Sequence, residues 1–416
     1  MTEPRDILAG LFDKAVAAAL PDNSIAAFLP PKPKGRTIVI GAGKGAAQLA
    51  QAVEKHWNGP LQGVVVTRYG YGAECKNIKV IEAAHPVPDQ AGLTASQHLQ
   101  DTVKDLSADD LVIALICGGG SALLPCPPEG VSLDDEIAMN KALLASGAPI
   151  SAMNTLRKHV SNIKGGRLAA LAAPARVVTL VVSDIPGDIA AFVASGPTIP
   201  DHSSRKDALD IVKQYRLDLP QSVLDHLNTP SADAPDPDNA VFANNEVHVI
   251  ASAAISLKAA QKAAPVNCVI LSDSIEGEAR ECAKMHAAIA REIARNNQPF
   301  EKPVLLLSGG ETTVTLRGNG KGGRNSEFLL AFALEIDGIA GIHCLAADTD
   351  GIDGSEDNAG GFADGTTARK IRDSGYDPVK LLQVNDAWRA LYAAADLFET
   401  GPTGTNVNDF RAILIA

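Results

Sequence analysis

A chain of 416 residues exceeds the roughly 250–300 residues at which a single hydrophobic core stops growing, so two domains are expected. Lys and Arg number 37 against 49 Asp and Glu, a net charge of −12, with 46% hydrophobic and 21% charged residues, which is an ordinary globular composition. So acidic a chain, with only 4% aromatic residues, lacks the basic surface and stacking platforms of a nucleic-acid binder, and no nucleic-acid partner is expected.

The amino-terminal stretch MTEPRDILAGLFDKAVAAALPDN scatters acids and Lys14 among its apolar residues and does not read as a signal peptide. The longest uncharged stretch, Leu111 to Pro128, carries Gly118-Gly119-Gly120 and three prolines and makes a poor membrane helix. A cytoplasmic protein without a membrane partner is expected. Six cysteines without C-x-x-C spacing suggest neither a disulfide framework nor a structural zinc site.

In chain order, the apolar runs TIVIG (37–41), GVVVT (63–67), IKVIE (78–82), LVIALIC (111–117) and VVTLVVS (177–183) alternate with helical segments. Such alternation indicates a largely parallel sheet covered on both faces, a Rossmann-like three-layer domain over residues 1–232. The stretch NTPSADAPDPDNA (228–240) combines three prolines with several aspartates and reads as a boundary. A second α/β domain is expected over 240–416, with strands at HVIA (248–251), CVILS (268–272), VLLLS (304–308), TTVTL (312–316), IHCLAA (342–347) and AILIA (412–416), and a helix from Gly277 to Asn296. Because TTVTL follows VLLLS after only Gly309-Gly310-Glu311, a hairpin and a mixed sheet are predicted there.

Glycine-rich turns mark the candidate binding sites. The first strand ends in Gly41-Ala42-Gly43-Lys44-Gly45-Ala46 and runs into a helix, which brings free backbone N–H groups and a helix dipole to one point. The string fits the dinucleotide pattern G-x-G-x-x-A, yet the next strand ends in Arg68 where an acid for the ribose is expected; this weakens the dinucleotide reading, although an NADP reader could use Arg68. Lys44 places a charge among these glycines where a phosphoryl group or carboxylate could meet it, and a solvated lysine on a structural turn fits the motif equally well. A second turn, Gly118-Gly119-Gly120-Ser121, follows LVIALIC; with Leu at 123 it is no nucleophile elbow, and backbone amides with the Ser121 hydroxyl would donate to an anion. A third cluster, Lys158 to Arg167, gathers Lys158, Lys164 and Arg167 with His159 and reads as an anion site. A fourth comprises Gly309, Gly310 and Glu311 at a strand end and Gly318 to Glu327, with Gly323, Arg324 and Asn325, before a helix; if the two strands pair as a hairpin, Glu311 and Arg324 reach the rim of one cleft, where Arg324 offers a planar fork for a carboxylate or phosphoryl group.

Carboxylates at strand ends are candidates for a metal or a hydroxyl proton. Ser183-Asp184 follows VVTLVVS, where ligands of open α/β sheets gather, and an Asx turn before Pro186 is the plain alternative. Asp348-Thr349-Asp350 opens an acidic loop that departs from the calcium pattern at Ile352 and Asp353, leaving a Mg²⁺-facing or nucleotide-facing loop, or a soluble turn. No H-E-x-x-H occurs, so a catalytic zinc is not expected, and His85, before Pro86, reads as part of a rigid turn.

The segments IGAGKGA (40–46), CGGGSALL (117–124), KHVSNIKGGRLA (158–169), SDIPGD (183–188), ASGPT (194–198), SGGETTVTLRGNGKGGRNSEF (308–328), AADTDGIDG (346–354), AGGFAD (359–364) and TGPTGTNVNDF (400–410) occur in order. Together they resemble the glycerate 2-kinase family, the class II glycerate kinases whose carboxyl-terminal part is the MOFRL domain. The resemblance implies transfer of a phosphoryl group from ATP, with Mg²⁺, to D-glycerate, giving 2-phosphoglycerate in a cleft between the two domains. It places the catalytic lysine on Lys44 and the catalytic arginine on Arg324, with acids at Asp184 and Glu311. Asp184, Glu311, Asp348 and Asp350 are then the candidate metal ligands. Gly43, Gly45, Gly118 to Ser121, Lys158, Ser183, Gly309, Gly310, Gly323 and Asn325 are the candidate substrate and nucleotide contacts. The same family also carries the label hydroxypyruvate reductase, through tartrate degradation, so NAD(P)H-dependent reduction is the alternative activity; a monomer or homodimer is expected.

Overall fold

The computed structural model describes residues 3–416 and divides the chain into two compact units, one of Ser24–Ile250 and one joining the amino-terminal segment up to Asn23 with Ala251–Ala416. The first unit is built on β1 (Thr37–Ala42), β2 (Gln62–Arg68), β3 (Ile78–Ala83), β4 (Leu111–Cys117), β5 (Arg176–Val182) and β6 (Glu246–Ala251), in the order β3-β2-β1-β4-β5-β6. The pairs β1–β2, β2–β3, β1–β4 and β4–β5 are parallel. Alternate residues feed two cores. Ile38, Ile40, Val112 and Ala114 pack with Leu99 and Val103 of the helix Gln90–Val103 on one face. Val39, Ile113 and Leu115 pack with Leu49 and Val53 of the helix Ala46–His56 on the other. This is why the strands read as unbroken apolar runs.

The order reverses between β1 and β4: the chain winds outward from β1 to β3, then returns to β4 on the other side. That reversal opens a crevice at the carboxyl ends of β1 and β4, where side loops leave in opposite directions, and it is the place at which doubly wound sheets bind ligands.

The second unit is built on β7 (Asn267–Glu278), β8 (Val304–Thr313), β9 (Ile342–Asp348), β10 (Gly360–Asp364), β11 (Leu397–Phe398) and β12 (Asp409–Ile415), in the order β11-β10-β9-β12-β8-β7. Only β7–β8 is parallel, so the sheet is mixed as expected. Leu306, Cys344 and Ile413 face the helices Ala279–Asn296 and Arg324–Glu335. Leu305, Leu345 and Leu414 face Leu8, Leu11 and Phe12 of the helix Pro4–Ala19 and Leu257 of the helix Ala253–Ala263.

Three expectations need correction. The units do not follow 1–232 and 240–416, because the helix Pro4–Ala19 packs in the second unit and HVIA, as β6, extends the first sheet. The stretch 228–240 is no boundary but lies within the first unit: Ala232 is fully buried against Leu156 and Val223, and its carbonyl accepts from His159 and Arg167. TTVTL forms no hairpin strand either. β8 runs straight through Ser308-Gly309-Gly310-Glu311, because Gly310, at φ 123°, lets β7 approach; a Cβ there would lie 2.2 Å from the amide nitrogen of Ile275.

Candidate active site

The crevice of the first unit takes its shape from two glycine turns. Gly43, at φ 133°, passes so close to the end of β4 that a Cβ would lie 2.5 Å from the carbonyl oxygen of Cys117. The amide of Lys44 donates to the Gly118 carbonyl at 2.9 Å, and its own carbonyl accepts from Thr67 Oγ1 at 3.1 Å. Lys44 is thereby fixed at the switch point, with Gly45 capping the helix Ala46–His56. A Cβ on Gly119 would meet Lys44 Cγ at 3.1 Å and His85 Nε2 at 3.0 Å, and one on Gly118 would meet Asp184 Oδ2 at 1.7 Å. The structure thus gathers Lys44, His85, Asp184 and the Gly118-Gly119-Gly120-Ser121 turn, as the strand-end argument predicted for all but His85.

The electrostatics agree with that geometry. Burial, then the charges of Lys44 and Arg68, push the His85 imidazole down to about 4, so it is neutral at pH 7. Burial and the Asp184 carboxylate push the Cys117 thiol far up, which keeps it an inert core group. Ser183 is buried at the end of β5, its hydroxyl turned to its own chain at Ile185. Sequence reasoning set His85 aside as a turn residue; its closeness to Lys44 arises from strand order, which no local pattern reports.

The basic cluster 158–167 lies elsewhere in its chemistry. Lys158 is fully buried and its ammonium pairs with Asp201. Lys164 pairs with Glu136 at 2.8 Å, both fully buried. Arg167 donates to the carbonyls of Lys158, Lys164, Ala232 and Asp233. His159 is held by the Ala232 carbonyl and by Ser203, and burial lowers its pKa. These cations hold the helical part of the unit together, and Lys158 presents no charge to a ligand.

In the second unit, Arg324 opens the helix Arg324–Glu335 beside the end of β8, the start of β12 and the end of β9. Its Nε donates to Asp409 Oδ1 at 2.6 Å, Nη2 to Asp348 Oδ2 at 2.6 Å and Nη1 to Glu311 Oε1 at 3.0 Å. Side-chain exposure is 0% for Asp409, 7% for Asp348 and 52% for Glu311, so two buried acids set the guanidinium and the exposed one is its solvent-side partner. Burial works against the charge of Arg324, but Asp409 and Asp348 outweigh it and hold the group more firmly protonated than an ordinary arginine. Burial drives the Asp348 carboxyl well above its usual range; Arg324 opposes this, while Asp350 and Asp409 add to it.

The helix start is itself pinned by a buried acid. Asp353 accepts from the amides of Asn325 at 2.9 Å and Ser326 at 2.7 Å and from Ser326 Oγ, while Asn325 Nδ2 donates to Asp409 Oδ1 at 2.9 Å. Gly323 leaves room for this cap, since a Cβ there would lie 2.4 Å from Asp353 Oδ1. Gly309 and Gly310 lie inside β8, opposite Phe410 and Asp409 of β12. Neither Asp409 nor Asp353 was singled out from sequence: they stand 85 and 29 positions along from Arg324, and Asp409 reaches Arg324 and Asp353 reaches Asn325 and Ser326 only through sheet pairing and a loop return.

The acids expected to bind a metal fall in two places, Asp184 beside the Gly118 turn of the first unit and Glu311, Asp348 and Asp350 in the second. Among the described residues no group of three or more His, Cys, Asp or Glu is placed to hold a metal ion. Glu311 and Asp348 serve Arg324, and Asp350 takes the Ile352 amide and Asn406. A preformed magnesium site of the chain's own side chains does not fit this donor set.

No helix of the described residues is long and apolar enough to cross a membrane. The family model described as a domain of unknown function (DUF4147) matches residues 7–228, and that of the MOFRL family matches residues 304–409. A protein of Agrobacterium vitis provisionally named hydroxypyruvate reductase is 46% identical over 99% of this chain and 94% of its own. The D-glycerate 2-kinase of Thermotoga maritima is 39% identical over 97% of this chain and 96% of its own. A crystal structure of glycerate kinase from Thermotoga maritima superposes with a TM-score of 0.91 at 38% identity, covering 99% of both chains. With this likeness spanning almost every residue, the chain belongs to the glycerate 2-kinase family.

Proposed function

We propose that the protein is an ATP-dependent D-glycerate 2-kinase, an enzyme that moves the terminal phosphoryl group of ATP to the 2-hydroxyl of D-glycerate and releases ADP and 2-phosphoglycerate. The observation that carries the reading is that Lys44 and the Asp184 carboxylate both border the Gly118-Gly119 turn at the β1/β4 switch point, each packed against a glycine whose Cβ would meet it. Phosphoryl transfer is positioning plus charge stabilisation, and it needs a cation at the transferring group and an acceptor for the hydroxyl proton. Lys44 supplies the first and Asp184 the second. Arg324, oriented by Asp409 and Asp348, is the second cation, gripping a carboxylate or phosphoryl oxygen. Neutral His85 adds no second positive charge beside Lys44. Magnesium accompanies ATP in this chemistry, and no step here is routed through it.

The alternative is NAD(P)H-dependent reduction of hydroxypyruvate. It is favoured by Gly41-x-Gly43-x-x-Ala46 at the end of β1 and by the name of the Agrobacterium vitis relative. It leaves Asp184, Arg324 and its acids without a role. Purified protein is assayed for ADP release with D-glycerate, ATP and Mg²⁺, and for cofactor oxidation with hydroxypyruvate and NAD(P)H. Kinase activity is expected, with 2-phosphoglycerate identified by ³¹P NMR, and Lys44→Ala should lower turnover about 100-fold. Cofactor oxidation without ADP release refutes the kinase reading, and parental turnover by K44A refutes the role of Lys44.

A further inference from the structure

A file of three polar side chains leads from the interior of the first unit into the turn after β4. Asn154, on the helix Ile150–His159, is 1% exposed and Ser195 is fully buried, whereas Ser121 is only partly buried. Ser195 Oγ donates to Asn154 Oδ1 at 2.7 Å, and the hydroxyl oxygens of Ser195 and Ser121 lie 2.9 Å apart. A serine has one hydroxyl proton, and that of Ser195 is committed to Asn154. Ser121 must therefore donate its proton inward, and it offers only lone pairs to a ligand at the turn. An outward acceptor repels phosphate and carboxylate oxygens and accepts the hydrogen of an alcohol. This reverses the donor role that the sequence alone suggested for Ser121.

The surroundings mark the file as held in place. Ala194 and Ser195 both have left-handed backbones, at φ 52° and 59°, in a segment packed so closely on the turn that a Cβ on Gly120 would lie 2.7 Å from Ala194 Cβ. Asn154 Nδ2 is buried without a hydrogen-bond partner. Turning that amide over would reverse every bond in the file and make Ser121 a donor, so the orientation of one side chain sets what the turn recognises.

We propose that Asn154 and Ser195 are positioning residues that hold Ser121 as an acceptor for a second, non-reacting hydroxyl of the substrate. The site thereby selects 2-hydroxy acids bearing that hydroxyl over those with a methyl group in its place. The inference rests on the kinase reading. Its test compares kcat/KM for D-glycerate and D-lactate, which share the carboxylate and 2-hydroxyl and differ in the 3-hydroxyl. The parent should favour D-glycerate at least about 100-fold, since a site built around a hydroxyl rejects its absence strongly. Ser121→Ala should compress that ratio about tenfold or more. Ser195→Gly, which suits the left-handed backbone, and Asn154→Ala should act in the same direction. The double variant S121A/S195G should be no worse than S121A, because Ser195 acts through Ser121. Circular dichroism checks that each variant is folded, and the two deeper positions read the same device independently. A parental ratio in folded S195G and N154A, or additive losses in the double variant, overturns the proposal. Failure of the parent to phosphorylate D-glycerate overturns the kinase reading instead.

Discussion

Replacing Asp409 with Asn removes one negative charge from the most enclosed polar cluster of the second unit. Asp409 accepts from Arg324 Nε at 2.6 Å, Asn325 Nδ2 at 2.9 Å and the Thr312 amide at 3.2 Å, and it pairs with Arg411. Burial alone would raise its pKa, but Arg411 and Arg324 overcome burial and hold the carboxyl below its usual range. Side-chain exposure is 0% for both Asp409 and Arg411, so the variant leaves an arginine charged, dry and uncompensated. Breaking such a pair from one side costs about 3–5 kcal/mol. At about 2–4 °C per kcal/mol for a unit of this size, the melting transition should fall by about 6–20 °C. Differential scanning calorimetry of D409N reads this directly, and Asp409→Leu with Arg411→Met, which removes both charges of the pair, should recover part of the loss. A transition within about 2 °C of the parent would show that the cluster is not energetically coupled, contrary to the buried-charge argument.

Gly118→Ala puts a methyl group where Asp184 Oδ2 now lies, 1.7 Å away; displacing that carboxylate should cut turnover of D-glycerate about 100-fold, and parental turnover would remove Asp184 from the chemistry. His286 donates from Nδ1 to the Cys282 carbonyl and accepts at Nε2 from Ser308, and burial pushes its pKa down to about 4. The folded state then binds fewer protons than the unfolded state between pH 6.5 and 4, so stability is full above about 6.5 and declines through that window by up to about 3 kcal/mol. Urea unfolding across pH should show a flatter decline for His286→Asn; an unchanged slope refutes the assignment. Lys164→Met should destabilise by about 3–5 kcal/mol, and Lys164→Met with Glu136→Leu by much less; equal losses in chemical denaturation would deny that the pair is one buried unit.

The strands of the first sheet were legible because both their faces are buried: TIVIG and LVIALIC could hardly be anything but central parallel strands once helices were seen to alternate with them. The same rule failed at Ser308-Gly309-Gly310, where glycine was read as a turn although it serves the close approach of β7. It failed at Lys158, Lys164 and Arg167 for a different reason. A row of cations near glycines looks alike in sequence whether it faces a ligand or a set of buried acids and carbonyls, and Glu136 and Asp201 lie too far along the chain to be seen as partners. Lys44 and Asp184 were legible because their position after a strand fixes their end of the sheet. Asp409 was not, because it acquires its role only when β12 is laid between β8 and β9.

That central placement of β12 sets a timetable for synthesis. Residues 409–415 leave the ribosome after every other strand, yet β8 and β9 have no common neighbour until they arrive. The helix Pro4–Ala19, made before any of these strands, packs on a face that includes Phe410, Ala412 and Leu414. The nascent chain therefore carries an exposed apolar helix through translation of the intervening residues, while Ser24–Ile250 already has all the strands of its own sheet up to Ile250. Chaperone dependence during production should accordingly fall on the second unit, and a ribosome stalled before residue 409 should display a protease-resistant first unit beside a cleavable remainder.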